Sequence, residues 1–418
     1  MTRHHVSPTS ALRVAALLVS LATMARAQTP SAPPRLSLAE AVRAATTTGP
    51  AAQAAAGRRA ELVGRARTDA QWANPTLELR RENQGAPIPF DDFATLTVPI
   101  DVTGRRFALR SALGASRDRA TADALALTRA AEYATARAWW NFWATEHLAM
   151  IATERSELTT RVAQLDSLRA AEGEVSEAAA FRMRIEAQRA RLAAAQAAAA
   201  AATARAQLAA MIGQPDPARI AIAEPILTFA ELPTLEAALA AAERDRPDLA
   251  AARAAERAAE RRRVAESRGA VPDVGLSGGY KGTGGYATAQ FGLVLTPPLL
   301  NLNGGNRERT AGELLTATAD RRMTELRVAT EVRAALASAE ALDAGAAGFD
   351  GTFVAQAGIV ANAAEAAYRE GASSLVELLD AFRAATDARA DYVRGTLDRA
   401  LVRLDLRRAI GAPAVEVP

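Results

Sequence analysis

The chain contains an internal duplication, and this feature limits its fold more than any other. When the 418-residue sequence is shifted by 197 positions, Pro50 falls on Pro247, and when it is shifted by 198, Gly173 falls on Gly371. The order of such landmarks agrees over almost the whole chain. Solenoid repeats are only about 20–50 residues long. The duplication therefore predicts one large unit that is built twice.

The duplication also predicts the domain boundaries. We expect the first repeat at 36–213 and the second at 235–411, joined by a connector at 214–234 and followed by a tail at 412–418. The connector contains four prolines and should be non-helical, because proline cannot continue a helix. Each repeat should follow one order: a helix, two strands, a very long helix, a glycine turn and a last helix.

Short stretches that alternate apolar and polar residues predict the strands. They lie at 76–81 and 94–101 in the first repeat and at 287–296 and 273–280 in the second. The alternation places one apolar set on a single face of a sheet: Leu77, Leu79, Leu96, Val98, Ile100, Val274, Leu276, Phe291, Leu293 and Leu295. Such a face indicates either contact with lipid or packing on a soluble core. In lipid, an aromatic girdle is expected near the loops: Phe90, Phe93, Tyr280 and Tyr286.

The lipid interpretation sets a condition on assembly. Transmembrane barrels have at least about eight strands, and an open sheet edge is not tolerated in lipid. A chain with four strands can therefore insert only if several copies share one barrel. Pro99 and Gly104, and again Pro297 and Gly304, stand where a strand should end and a helix begin. We interpret both positions as junctions between barrel strands and helices.

The helical stretches are long. Residues 105–170 and 305–370 contain no proline, and at about 1.5 Å per residue each would extend roughly 100 Å. A coiled-coil seam is indicated by the spacing of Val328, Val332, Ala335, Ala339 and Leu342. The shorter helical segments are expected at 37–72, 175–212, 235–269 and 372–411. Together these segments predict four helical columns beneath the four strands.

The N-terminus has the pattern of a secretory signal peptide. Residues 1–27 combine a basic start, an apolar run too short to span a bilayer, and small residues around the expected cleavage site between Ala27 and Gln28. An ordinary N-terminal helix is the alternative. This segment holds three of the 50 basic residues, so the rest of the chain has 47 basic against 47 acidic residues. With no cysteine in the chain, we expect neither disulfides nor a lipid on an N-terminal cysteine.

Residues that commonly carry catalysis are scarce. Outside 1–27 the only histidine is His147, and without cysteine no cluster of soft metal ligands can form. The balanced charge gives no support for a nucleic-acid partner, and the glycine-rich run at 276–286 lacks phosphate-loop spacing. We expect no catalytic activity, no cofactor and no metal site. Two classes remain: a membrane channel, or a periplasmic coiled-coil adaptor, which would also have long helical hairpins.

The sequence resembles the TolC-like outer-membrane efflux family over 36–412. The resemblance rests on the duplicated unit and on three motifs: LSLAEAV at 36–42, PIDVTGRR at 99–106 and YREGASSLVELLDAF at 368–382. It implies a fold that is mainly α with a membrane β-barrel, in which a homotrimer supplies 3 × 4 = 12 strands above a 12-helix periplasmic tunnel. It also implies the outer membrane of a Gram-negative bacterium as the location.

The resemblance further implies partners and a cargo. An outer-membrane exit duct of this family would work with a periplasmic adaptor and an inner-membrane pump of the RND type, in efflux or in type I secretion. The first junction, VPIDVTGRR at 98–106, looks most like the branch that exports heavy-metal cations. The hairpin tips at Gly173 and Gly371 would contact the adaptor.

The resemblance also implies a closed entrance near the second tip. Glu377 and Asp380 match paired acids at the narrow periplasmic end, and Tyr368 matches a tyrosine that helps to lock it. Ser373 departs from the family because an arginine is often found there. Without the resemblance, two acids one helical turn apart would be an ordinary solvated surface. The first repeat carries Ala179 where the second carries Glu377.

Overall fold

The computed structural model describes residues 35–415 apart from 84, 86, 226, 228, 271, 298–301 and 347–350. The expected signal peptide, with Ala27 and Gln28, lies outside the described residues. The first repeat contains β1 (Arg35–Leu36), α1 (Leu38–Thr47), α2 (Pro50–Asp69), β2 (Thr76–Glu82), β3 (Asp91–Ile100), α3 (Arg105–Ala171) and α4 (Glu177–Ile212).

The second repeat follows a short connector. The connector holds one turn of 3₁₀ helix (Pro217–Arg219) and β4 (Ala221–Ile222), which pairs in parallel with β1. The second repeat then contains α5 (Leu235–Asp245), α6 (Pro247–Ser267), β5 (Asp273–Thr283), β6 (Tyr286–Thr296), α7 (Gly304–Gly345), α8 (Gly351–Arg369) and α9 (Leu375–Ala409). The two repeats have the same order of helices and strands, except that α7 and α8 together correspond to α3.

The first helix of each repeat is broken, although the sequence predicted continuous helices over 37–72 and 235–269. The breaks fall immediately before Pro50 and Pro247, which become the first residues of α2 and α6. The residue before each proline has an extended backbone, as the proline ring requires. The prediction was wrong because proline starts a helix well but clashes inside one.

The second long helix was predicted over 305–370, with glycines near 345–351 as its weak point, and part of that point lies outside the described residues. In the described residues, α7 ends at Gly345 and α8 begins at Gly351. The corresponding part of the first repeat lies inside the continuous 67-residue α3 and carries His147 and Thr153 in place of these glycines. Glycine costs about 1 kcal/mol more than alanine in a helix interior, which is a physical reason for the difference.

The four longer strands form one antiparallel sheet in the order β2–β3–β5–β6. Its register places Leu77, Leu96, Gly278 and Phe291 in one row across the sheet. The other predicted apolar residues lie in rows on the same face, which confirms that prediction. This face is uncovered, since Leu79 is 73% exposed and Phe291 is 88% exposed.

The predicted aromatic girdle is wrong at two positions. Phe93 pairs with Arg80 and Lys281, so it lies on the polar face, and both cations stack on its ring. Tyr286 pairs with Thr283 and lies on that polar face as well. Of the two aromatic residues expected within β5 and β6 near the loops, Tyr280 alone shares the apolar face.

The helices form one layer beneath the sheet. Next to the sheet the helices contact one another in the order α2–α3–α6–α7, and farther away in the order α4–α3–α9–α8. The helix order α2–α3–α6–α7 matches the strand order β2–β3–β5–β6, because each of these helices directly precedes or follows one of these strands in the sequence. No helix among the described residues has an apolar stretch long enough to cross a membrane.

The largest buried cluster lies where the helices next to the sheet meet the helices farther from it. Trp139, Trp140 and Trp143 of α3 are buried there against α1, α4, α9 and the β1–β4 pair. The Trp139 indole donates to the Leu36 carbonyl at 3.0 Å. In the second repeat, the expected seam residues Val328, Val332 and Ala339 are also buried. Leu342, the last expected seam residue, is 36% exposed.

Candidate functional site

The first strand–helix junction is held by a local acid. Asp101 accepts hydrogen bonds from the backbone amides of Thr103 at 3.2 Å and Arg106 at 2.7 Å. Gly104 is the helix N-cap and has a left-handed backbone with φ of 69°, a conformation that glycine adopts at little cost. These contacts turn the chain sharply from β3 into α3. Pro99, also predicted at this junction, lies within β3 opposite Gly275.

The second junction also has a left-handed residue at the helix N-cap, but of a different type. The left-handed N-cap is Asn303, with φ of 58°, and the predicted Gly304 is the first residue of α7. Pro297 is exposed and directly follows β6. Asparagine tolerates the left-handed region better than most residues with a β-carbon, so it can take the place that Gly104 has in the first repeat.

Glu266, in the last turn of α6, joins the two junctions. Its carboxylate accepts hydrogen bonds from Arg105 at 2.9 Å and from Asn303 at 2.8 Å. The neighbouring Arg268 donates to the Gly104 carbonyl at 2.7 Å. Burial would raise the pKa of Glu266, but the hydrogen bonds from Asn303 and Arg105 outweigh it and lower the pKa. This carboxylate therefore fixes both strand–helix turns to one helix end.

Sequence reasoning missed Glu266, although a signal was present. Both repeats place an acid near the end of the helix before the strand hairpin: Asp69 in the first and Glu266 in the second, 197 positions apart. An acid there is unfavourable for the helix dipole, which prefers cations at the C-terminus. Such an unfavourable choice made twice could have indicated a contact outside the helix.

The two hairpin tips are joined by a buried hydrogen bond between the repeats. Gly173 and Gly371 form the tip turns with φ of 81° and 77°. Just before the turns, the Tyr368 hydroxyl donates to Asp166 Oδ1 at 2.6 Å. Asp166 is 1% exposed and Tyr368 is 8% exposed. Burial and the bond to Asp166 raise the pKa of Tyr368 to about 12, so the phenol stays a donor over the physiological range.

Arg169 strengthens this connection between α3 and α8. Its guanidinium lies 5.6 Å from the centre of the Tyr368 ring and donates to the Arg369 carbonyl at 3.1 Å. Two polar atoms nearby, Asp166 Oδ2 and Ser373 Oγ, are buried and have no hydrogen-bond partner among the described residues. Tyr368 was named from the family resemblance, whereas Asp166 and Arg169 were missed because nothing in the sequence marks α3 as its partner.

The predicted entrance acids are both exposed near the start of α9. Glu377 Oε2 accepts a hydrogen bond from the Ser374 amide at 2.9 Å, and the Ser374 hydroxyl accepts one from the Glu377 amide at 3.3 Å. This reciprocal pair is a capping box. Asp380 has no partner among the described residues and lies on the same helix face as Glu377. Glu377 thus has a local structural contact in addition to any function at an entrance.

The chain is similar to a known family and to several solved structures. Residues 238–412 match the family described as outer membrane efflux protein. The outer membrane protein VceC from Vibrio cholerae, known from a crystal structure, has 20% sequence identity to this chain. The two structures match with a TM-score of 0.73 over 90% of this chain and 97% of VceC. CusC is 18% identical, with the same TM-score over 90% and 92%. No protein in the curated set matches the sequence.

A membrane protein from Pseudomonas aeruginosa is likewise 18% identical, with a TM-score of 0.73 over 90% of both chains. At such identities the structures establish the shared fold, and the family match covers the second repeat, residues 238–412. Residues 238–412 thus match the outer membrane efflux protein family, and the whole chain has the fold of such outer-membrane proteins, in agreement with the resemblance that the sequence motifs carry. Members of this family are transport proteins and not enzymes.

Proposed function

We propose that this chain is the outer-membrane exit duct of an efflux system. The observation that carries the proposal is the match between the strand order β2–β3–β5–β6 and the helix order α2–α3–α6–α7 beneath it. Each chain is then one sector of a wall that continues from a sheet into helices. The uncovered apolar face of the sheet would contact lipid, and the helices would extend into the periplasm.

The sector has two open edges, and we propose that two further copies close it. β2 and β6 each have one unpaired side in the monomer, and an open edge is unstable in lipid. Edge-to-edge contacts between identical chains are heterologous and form a ring when the rotation closes. Three copies would give 12 strands and 12 helical columns. A signal peptide at 1–27 would direct the chain to the export pathway.

The partners and cargo in this proposal come from the family resemblance. A periplasmic adaptor would contact the tips at Gly173 and Gly371 and connect the duct to an inner-membrane pump of the RND type. The VPIDVTGRR junction supports heavy-metal cations as the cargo. Deleting the gene and measuring sensitivity to metal ions, drugs and dyes tests this step; sensitivity to drugs without sensitivity to metals would contradict the metal assignment.

The absence of cysteine allows a sharp test of the ring. The double variant Glu78→Cys/Gln290→Cys places thiols on the two edge strands, in one row of the sheet. A scan that moves the β2 cysteine to Thr76 or Arg80 covers other registers. Mild oxidation should give covalent dimers and trimers for at least one pair. The control Thr95→Cys/Gln290→Cys uses an inner strand and should give none.

If every edge pair stays monomeric in detergent while the secondary structure is intact, the shared barrel is wrong.

We also propose that Glu377 and Asp380 form a ring of carboxylates at the periplasmic entrance. Three copies would bring six acids to a constriction, where they would attract cations. The variant Glu377→Gln/Asp380→Asn removes the charge and changes the side-chain shape little. Its single-channel cation selectivity in planar bilayers should fall, and more so at low salt. Selectivity equal to that of the wild type would mean that these acids are ordinary surface charges.

A further inference from the structure

An exposed tryptophan lies beside two arginines where the sheet meets the helices. Trp72 is 48% exposed, whereas the three tryptophans of α3 are buried. The guanidinium carbons of Arg106 and Arg110 each lie 5.4 Å from the centre of its ring. Arg106 also donates to the Gln71 carbonyl, which holds the first arginine close to the indole. The three side chains form one compact group, the Trp72 cluster (Trp72, Arg106 and Arg110).

Among the side chains that the structure describes, no acid balances the two positive charges of this cluster. Within the described ranges, neither Arg106 nor Arg110 has a carboxylate at ion-pair distance, although other arginines of α3 do: Arg105 pairs with Glu266 and Arg119 with Asp123. A cation over an aromatic face is stabilised by the ring but remains charged. Two adjacent guanidinium groups without an acid make a site for an anion with several oxygens.

Arg110 of the Trp72 cluster lies on the side of α3 that is opposite a groove between the helices. This groove has a volume of about 730 Å³ and is lined by all four helices next to the sheet, α2, α3, α6 and α7. Arg119 and Asp123 are among the residues that α3 contributes. Arg110 precedes Arg119 by nine residues, and at roughly 100° per residue the two point in opposite directions. Phe107, which is 64% exposed, lies on the same helix face as Arg110. Arg110 and Phe107 therefore lie on the side of α3 opposite the groove, and we take this side as the one that faces lipid.

The cluster also lies at the depth of lipid headgroups if the sheet spans a membrane. Trp72 precedes β2 by four residues, and Arg110 is five residues, or about 8 Å, below the start of α3. The headgroup layer on each side of a bilayer is roughly 5–8 Å thick. Tryptophan is enriched at this depth because one part of its ring is apolar and another can donate a hydrogen bond.

We propose that the Trp72 cluster binds the phosphate of an anionic phospholipid in the periplasmic leaflet, with one such lipid on each chain. The inference rests on the proposed function, because the sheet must be in a membrane. Arg106 and Arg110 donate to the phosphate oxygens in the planar geometry that suits guanidinium groups. The Trp72 indole lies against the glycerol region. Phe107 contacts the adjoining acyl chains.

The test uses the full chain in phosphatidylcholine nanodiscs with increasing fractions of phosphatidylglycerol. Native mass spectrometry counts retained phosphatidylglycerol, and thermal unfolding reports stabilisation. The variant Arg106→Gln/Arg110→Gln should bind phosphatidylglycerol roughly 30-fold more weakly, because each surface arginine contributes roughly five- to sixfold. The matched control Arg58→Gln/Arg119→Gln removes two charges from the groove side and should retain lipid as the wild type does. Equal retention by both variants overturns the inference.

Two further measurements distinguish a lipid phosphate from a free phosphate ion, and failure of the lipid site from failure of the proposed function. Inorganic phosphate at the same concentration should neither be retained nor raise the unfolding temperature in pure phosphatidylcholine; if it does both, the site takes a free ion and the lipid assignment is wrong. Failure of the wild-type chain to insert in nanodiscs contradicts the proposed function, and the lipid site with it. Insertion without selectivity for phosphatidylglycerol contradicts only the lipid site.

Discussion

The two repeats have the same order of elements, yet they place different residues at equivalent positions. At the tips, Asp166 comes from the first repeat and Tyr368 from the second, while their counterparts 198 positions away are Ala364 and Ala170. One repeat supplies the acceptor and the other the donor. If the two repeats were identical in sequence, each would have to carry both the acceptor and the donor. The duplicated backbone therefore carries complementary side chains.

The two repeats also bury different residues where the helices next to the sheet meet the helices farther from it. The first repeat fills this region with the tryptophans of α3, which pack with the β1–β4 pair. The equivalent stretch of α7 contains Ala337 and Ala341. The second repeat instead buries Val328 and Val332 against α5. The first repeat thus holds the larger apolar cluster, and the two halves of the wall should differ in their resistance to unfolding.

The largest expected effect tests this difference in the core. Trp139→Ala should lower the free energy of unfolding by about 4 kcal/mol, because it leaves a cavity and removes the hydrogen bond to Leu36. Val332→Ala, at a fully buried site of the second repeat, should cost about 2 kcal/mol. Denaturant unfolding of the solubilised protein measures both. A larger loss for Val332→Ala would mean that the second repeat holds the stronger core.

The next effect tests the bond between the tips. Tyr368→Phe should cost about 2 kcal/mol, because it leaves the buried Asp166 without its donor. Hydrogen exchange should rise at the ends of α3 and α8, and channel conductance should increase. Tyr392→Phe, on the other arm of the same hairpin and without a hydroxyl contact in the described structure, is the matched control.

A second substitution makes this test specific. Asp166→Leu combined with Tyr368→Phe removes both polar partners, so it should be less destabilising than Tyr368→Phe alone. If the double variant is the worse of the two, Asp166 has another partner and the Tyr368 bond does not close the tips.

A smaller effect concerns the junctions and depends on pH. The pKa of Glu266 is lowered from its ordinary 4.5 in the folded state, so its contribution is complete above that value and is lost as the pH falls through the folded pKa. Glu266→Gln should therefore reduce stability by about 1 kcal/mol at pH 7 and flatten the decline in acid. Glu313→Gln, at an exposed helix pair with Arg309, should leave the acid decline unchanged. An unaltered decline in Glu266→Gln would exclude this carboxylate as its cause.

The sequence predicted the elements better than the contacts between them. Alternation gave the sheet faces and glycine gave the tips, because both depend on neighbouring residues. The helix breaks at Pro50 and Pro247 could also have been predicted from the sequence, because they depend only on where the prolines stand. Asp166 and Glu266 were not predicted because their partners lie 202 and 161 residues away. Which distant residues meet is set by how α3 packs with α6 and α9, and local periodicity carries no information about that.

The smallest effect separates two functions of Glu377. The second repeat has a complete capping box at Ser374 and Glu377, whereas the first has Ser176 with Ala179 in the acid's place. Glu377→Ala should cost about 0.5–1 kcal/mol, and Ala179→Glu should add a similar amount to the first tip. Glu377→Gln keeps a side chain that can cap but removes the charge. Its tip should therefore keep wild-type protection in hydrogen exchange, while cation selectivity falls if the acids form the entrance. Unchanged selectivity in Glu377→Gln, together with a frayed tip in Glu377→Ala, would limit Glu377 to the cap. The repeats would then differ at this position in helix stability alone.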